Sequence, residues 1–276
     1  MIGSVLKAGI KPFLPAAVRV RLKNWLKATS RDILGADLRL ALSAQFISGA
    51  GIEIGALNQP LPVVGKARVR YVDRITVAEA RRHLPELIGL PFVEPDILTD
   101  GEKLAGVPDR SQDFVIANHF VEHAQDPIDT LGNFVRVLMP GGILFLGLPD
   151  KRYTFDRDRP ETPYEHLLED HASGPEGSRN THFEEWVRYV EGISEPQRVR
   201  TRVVELMDMG YSIHFHVWTP AGALEFFERT FKRLAISYEM LTMTLNPALC
   251  EVIFVFKIGD VSAIASSGGQ LRQRPS

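Results

Sequence analysis

Two apolar runs, Asp113–Ala117 and Ile143–Leu148, bracket a helix candidate over Pro127–Leu138. Short runs of this composition, bounded by turn residues, are strands buried on both faces. A strand, a helix and a second strand in that order make a parallel pair with the helix crossing over one face. The alternation continues outward. Gly51–Ile54 is a short strand ending at Gly55, and Arg68–Val72 is a period-two strand followed by Asp73. Thr76–Leu87 reads as a helix with Pro85 near its end, and Phe92–Val93 as a weak third strand followed by Asp96. Pro127 stands in a first helical turn, where its missing N–H costs nothing. Pro140-Gly141-Gly142 reads as a turn, Thr219–Thr230 as a helix, and Leu234–Met240 and Glu251–Lys257 as the last strands. The expectation is an α/β protein with a mostly parallel sheet and helices on both faces.

A chain of 276 residues with 45% apolar residues can bury one such domain and some additions. Residues 35–260 are taken as that domain. Within it the polar stretch from about 150 to 210, rich in Arg, His, Asp and Glu, is read as a helical cap inserted at one sheet edge. Residues 261–276 read as a disordered tail. Residues 1–34 form a basic segment: Lys7, Lys11, Arg19, Arg21, Lys23, Lys27 and Arg31 all precede the first acidic residue, Asp32. Pro15–Ala28 can form an amphipathic helix with Val18, Leu22, Trp25 and Leu26 on one face. It would either dock on an anionic membrane surface or acidic partner, or pack on its own domain. A net charge of -2 gives no reason to expect a nucleic-acid partner. The lone Cys250 excludes an internal disulfide framework and a thiolate metal cluster, and reads as a buried core thiol. With no signal peptide and no apolar run near the roughly 20 residues that span a bilayer, a cytoplasmic protein is expected.

Glu53-Ile54-Gly55 and Tyr71-Val72-Asp73 place a glycine at the end of one strand and a carboxylate about 20 residues later at the end of the next. Glycine admits ligand atoms close to the backbone, and the carboxylate can accept from two ribose hydroxyls. A plain turn at Gly55 with Asp73 as a helix cap fits the same residues. The dinucleotide fingerprint is absent, because Gly55 is followed by Ala56-Leu57-Asn58-Gln59-Pro60. Without the second and third glycines there is no cradle for a pyrophosphate, which argues against a nicotinamide oxidoreductase.

The segment Asp113 to Pro127, with Asn118-His119-Phe120-Val121-Glu122-His123 and Asp126-Pro127, followed by Arg136-Val-Leu-Met-Pro140-Gly141-Gly142, resembles the class I S-adenosylmethionine-dependent methyltransferases. Among them it is similar to the type 11 group, over residues 50–150. The resemblance implies a Rossmann-like, mostly parallel seven-stranded sheet with an antiparallel last strand. It also implies S-adenosylmethionine as cofactor. Glu53 and Gly55, with Ala56 beside them, would hold its methionine end, Asp73 its ribose, and Arg74 would flank the adenine. Asp96 with Ile97 would contact the adenine, and Asn118 and His119 would face the sulfonium side. The departure is Ala56-Leu57, where the family has further glycine.

His119-x-x-Glu122-His123 has the spacing of a zinc peptidase motif, but it falls on a strand-to-helix loop rather than within one helix. Related methyltransferases bind a divalent metal at this spacing. Structural bonding of Glu122 and His123 to nearby backbone is preferred here, and no metal is assigned. Methylation of oxygen calls for a base, and the candidates are His119, His182, and His214 or His216 before Trp218. The Lys151, Arg152, Tyr153, Arg157 and Arg159 stretch is either an acceptor lid or a set of charges paired with one another. The reading is O-methylation of a small polar or saccharide acceptor. Its alternative is a non-catalytic cofactor-binding module of a glycan-assembly complex.

Overall fold

The computed structural model describes residues 29–83 and 89–259. The basic helix expected over Pro15–Ala28, the helix end at Pro85–Leu87 and the tail beyond Asp260 lie outside the described residues. Seven strands form one sheet: β1 (Ala50–Ile54), β2 (Arg68–Asp73), β3 (Ile97–Leu98), β4 (Gln112–Asn118), β5 (Leu138–Pro149), β6 (Tyr238–Asn246) and β7 (Glu251–Ile258). Their order is β3-β2-β1-β4-β5-β7-β6, and β7 runs antiparallel to both its neighbours. The Rossmann-like expectation is met.

The strand residues sort by parity. Val115, Ala117, Leu144, Leu146, Phe254 and Phe256 face one side, while Phe114, Ile116, Phe145, Ile253 and Val255 face the other. Both sets are buried, which is why these strands read as unbroken apolar runs. The first face is covered by α3 (Pro127–Val137) and α7 (Pro220–Arg233). Phe227 of α7 meets Phe254 and Phe256 edge-on at 4.9 and 5.3 Å. The second face lies under α1 (Thr29–Phe46), through Leu42 and the following Ile47, and under Leu61. The short α2 (Val77–His83) follows β2, and α3 is capped by Asp126, whose side chain accepts from the amide of Asp129.

Four expectations shift. The third strand is Ile97–Leu98 rather than Phe92–Val93, because Pro91 and Pro95 flank the latter and cannot donate to a ladder. The sixth begins at Tyr238; Leu234 ends α7, and Ala235 turns the chain at φ 52°. Pro140-Gly141-Gly142 is not a turn before a strand but a bulge within β5. Gln112 pairs Leu138 and Phe114 pairs Ile143, so the extra residues loop out at Gly141, φ 82°. Cys250, expected in the core, is half-buried in the turn before β7.

Between β5 and α7 the chain forms α4 (Tyr164–Ser173), α5 (Glu176–Glu185, running on into one π turn at Trp186–Val190) and α6 (Pro196–Asp208). These helices and Ile213 and Phe215 of the returning segment enclose their own apolar cluster around Phe183, Val187, Val199 and Leu206. The fully buried Arg159 clamps the unit. It donates to Asp156 (2.9 Å), Glu185 (2.8 Å) and the carbonyl of His214 (2.8 Å). No helix among the described residues is long and apolar enough to cross a membrane.

A Cβ at Gly51 would run into the carbonyl and ring of Phe114, while at Gly65 it would meet open space. Gly51→Ala should therefore lower stability by about 3 kcal/mol or prevent folding. Gly65→Ala, at φ 76°, should cost only about 1 kcal/mol of backbone strain. Thermal or urea unfolding of the two variants checks the contrast; equal effects would mean that β1 and β4 are not in this register.

Candidate functional site

The sheet order reverses between β1 and β4, and the C-terminal ends of β1, β2 and β4 open a crevice there, the usual ligand position in such sheets. Gly55 closes β1 at φ 66°, and its amide donates to the carbonyl of Val72 at 3.0 Å. A side chain at Gly55 would press on the ring of Phe120 (3.2 Å), so the glycine keeps the crevice floor open. Past Ala56 the left-handed turn that a glycine usually supplies is taken by Leu57, at φ 47°. The departure from the glycine pattern thus changes the residue and keeps the turn.

Glu53 is buried in β1. Its Oε1 accepts from the amide of Leu61 at 2.8 Å, and its Oε2 has no hydrogen-bond partner among the described residues. Burial pushes its carboxyl up to about 7, against the Leu61 amide and the Arg39 charge. An orphaned carboxylate oxygen at the crevice is what a ligand bearing an amine would complete, so the residues present fit an amino-acid-tailed cofactor. Asp73, half-buried at the end of β2, accepts from the amide of Ile75 at 3.3 Å, and its pKa is raised by burial. Arg74 beside it is exposed.

Asp96 does not join this group. It precedes β3, and its Oδ2 accepts from the amide of Tyr71 in β2 at 2.8 Å, two residues before Asp73. Shifting the third strand by five residues moves the acidic position beyond its C-terminal end from Asp96 to Asp100. Gly101 follows, and a Cβ there would clash with Ile54 and Phe120, so this turn packs against the end of β1. Sequence reasoning missed Asp100-Gly101; the signal was Pro95, which delays the strand. Ile97 pairs Val72 within β3.

At the end of β4, Asn118 has neither side-chain Oδ1 nor Nδ2 hydrogen-bonded. His119 follows at φ 52°, with its amide donating to the carbonyl of Gly147 at 2.7 Å. Its Nε2 lies 2.8 Å from Oε2 of Glu251, and its Nδ1 lies 3.6 Å from Oε1 of Glu122. Glu251 also takes Arg39 in a fork (2.9 and 2.5 Å) and Asn246 at 2.7 Å. Burial pushes the Glu251 carboxyl up, but the hydrogen bonds and charges of His119 and Arg39 win and hold it at about 2. Glu122 is wholly buried with neither carboxylate oxygen hydrogen-bonded, and burial pushes it up to about 7.

Of the other histidines, His123 and His214 each bring a ring nitrogen within 4.8 Å of the Glu122 carboxylate. His123 is bonded to backbone, as expected: its Nδ1 meets the carbonyl of Ile213 at 2.8 Å, and burial pushes its pKa down to about 3. Glu122 is not; only its main-chain carbonyl is used, by the amides of Phe215 and His216. His214 turns its Nδ1 to Asp156 at 2.7 Å and stacks among Phe155, Trp186 and His123. His182 is buried among His166, His216 and Phe215, and is not brought to the end of β4. The cations of residues 151–159 are paired within the unit: Arg152 with Asp150, Arg157 with Asp158, Arg159 with Asp156 and Glu185, and Lys151 with the carbonyl of Arg157. A cavity of about 370 Å³ near Arg110, Arg136 and Leu138 lies at the opposite end of the strands.

Residues 49–146 match the family model described as "Methyltransferase domain", from the start of β1 almost to the end of β5. No curated protein sequence matches. Among solved structures, the chain is similar to a putative methyltransferase in complex with the Trm112 activator from Haloferax volcanii. The identity is 16%, with 86% of this chain and 95% of that one covered, at a TM-score of 0.46. A putative S-adenosylmethionine-dependent methyltransferase from Methanococcus maripaludis gives 13%, 84%, 88% and 0.43. The CurJ carbon methyltransferase gives 14% identity over 78% of this chain at a TM-score of 0.42, and the chain spans about half, 49%, of its length.

A carboxyl raised above its ordinary 4.5 contributes stability that is complete below about pH 4.5 and lost as pH rises through about 7. Glu53→Gln should therefore stabilise the cofactor-free chain at pH 8, by about 2–3 kcal/mol at most, with the gap closing toward pH 5. Melting curves at the two pH values test this. A variant no more stable than its parent at pH 8 would mean that Glu53 is ionised and paired.

Proposed function

We propose that the chain is a class I S-adenosylmethionine-dependent methyltransferase whose domain opens at β1, and that it transfers the methyl group to an oxygen of a small polar acceptor, a saccharide hydroxyl in the first instance. The bound cofactor supplies an electrophilic methyl group on a sulfonium leaving group. Glu53, Gly55 and Ala56 hold its amino-acid end, Asp73 its ribose, and Arg74, Ile97 and Asp100 surround its base. Asn118 and His119 border the reacting side.

The observation that carries this reading is the His119–Glu251 hydrogen bond. With its carboxyl held at about 2, Glu251 is an acceptor at neutral pH, so His119 donates through Nε2. In its uncharged form the ring then has its lone pair at Nδ1, on the side of Glu122. A proton taken at Nδ1 gives an imidazolium flanked by two carboxyl groups, one ionised and one able to share the charge. Alcohols, unlike phenols or carboxylic acids, lose their proton late and gain most from such a base. The pairing of Arg152, Arg157 and Arg159 with carboxylates also supports an uncharged acceptor over an anionic one.

His119→Asn should lower kcat by about 10²–10⁴ with a hydroxylated acceptor. The Kd for S-adenosylhomocysteine by calorimetry should stay within about threefold. Unchanged turnover would remove His119 as the base, and a product methylated on carbon or nitrogen would overturn the oxygen acceptor.

A further inference from the structure

Four side chains of the inserted helices and the returning segment converge away from the crevice. His166 and Asp170 stand four residues apart on α4, which puts them on one face. His182 comes from α5 and His216 from the segment that leads into α7. The Nε2 atoms of His166 and His182 face each other at 3.0 Å, and Oδ2 of Asp170 lies 3.2 and 3.7 Å from them. One donor atom from each of the three histidines falls within 4.8 Å of the others. His216 is fully buried, and Asp170 and His182 are 3% and 6% exposed. Two of the converging atoms, Nδ1 of His216 and Oδ2 of Asp170, lack a hydrogen-bond partner.

From this convergence we propose that the chain binds one divalent ion of the zinc type through His166, His182 and His216, with Asp170 beside His166 and His182. Ligands about 2.0–2.1 Å from a tetrahedral zinc stand about 3.3 Å apart, close to the 3.0 Å between the Nε2 atoms of His166 and His182. The outer contacts also suit ligation. The Nε2 of His216 points to the carbonyl of Gln125 at 3.5 Å, which leaves Nδ1 for the ion, and His182 is hydrogen-bonded to the backbone of Phe215. Oδ2 of Asp170 and Nδ1 of His216, both buried without a hydrogen-bond partner, are costly without a cation; the ion takes His216 as a ligand and sets its charge near Asp170. Three histidine ligands leave one tetrahedral position of the ion open. Its effect would be to fix α4 and α5 to the segment whose Phe215 and His216 amides bind Glu122. The site is independent of the methyl-transfer reading.

The test is metal analysis of the full chain, tag removed and purified without chelators. The expected result is about one equivalent of zinc, lost from His166→Gln and reduced in Asp170→Asn. Half-exposed His166 is chosen because its replacement should leave the fold intact, as far-UV circular dichroism will show. Chelated protein given Co²⁺ should develop the visible absorption of tetrahedral cobalt, at least about tenfold weaker in either variant at the same Co²⁺ concentration. A folded chain with no bound metal and no cobalt spectrum would overturn the site. So would metal retained in both variants and lost from His214→Asn, which would place the ion among Glu122, His123 and His214.

Discussion

One buried carboxylate, Glu251, receives four hydrogen bonds, two from Arg39 and one each from Asn246 and His119. Four donors fill the lone-pair positions a carboxylate has. Through them the first residue of β7 joins α1, the last residue of β6 and the residue after β4. Removing any one partner leaves a buried charge less than fully met, which is why such groups are worth far more intact than their sum of contacts suggests. Burial opposes the ionised form and the donors favour it, and the donors win. The stability this adds is present above about pH 4.5 and is lost only as pH falls toward 2. Glu53 resolves the same competition the other way: two influences lower its pKa, and burial prevails.

The inserted helices follow a different logic. Their apolar cluster is small and separate from the two that sandwich the sheet. Much of their cohesion is polar: the Arg159 clamp, the Arg202–Glu191 pair and the converging histidines. A unit held this way presents few free charges to a ligand despite its composition. It touches the reactive loop through main-chain bonds at Glu122 rather than through its cations.

Most of the sheet was legible because its central strands are buried on both sides and carry the simplest signal in a sequence. The regions that misled were those where a second requirement overrode hydropathy. Proline on either side of Phe92 and Val93 barred them from the ladder, and that displaced the acidic position from Asp96 to Asp100. The edge strand β6 is half-buried over Leu241–Thr244 and exposed at Glu239, Met240 and Leu245, so it carries no period-two signal. Gly55, Asp73, Asn118 and His119 could be placed from sequence because strand ends locate them. The partners of His119 could not: Glu251 is 132 residues away, and nothing local marks it. The histidines at 182 and 214 were visible as residue types only, since their neighbours come from separate elements.

His119 adopts φ 52°, a region that favours glycine and asparagine. Its side chain at that corner raises the backbone energy by about 1 kcal/mol or more relative to glycine. The sheet and the Glu251 network over-determine the geometry and make the strained corner persist. Its imidazole is thereby carried on the turn itself, with no flexible tether, and the ring needs little reorganisation to accept a proton. The same corner ties robustness to the imidazole it carries. A chain relaxed there by glycine would lose one of the four donors to Glu251 along with the ring at the end of its fourth strand.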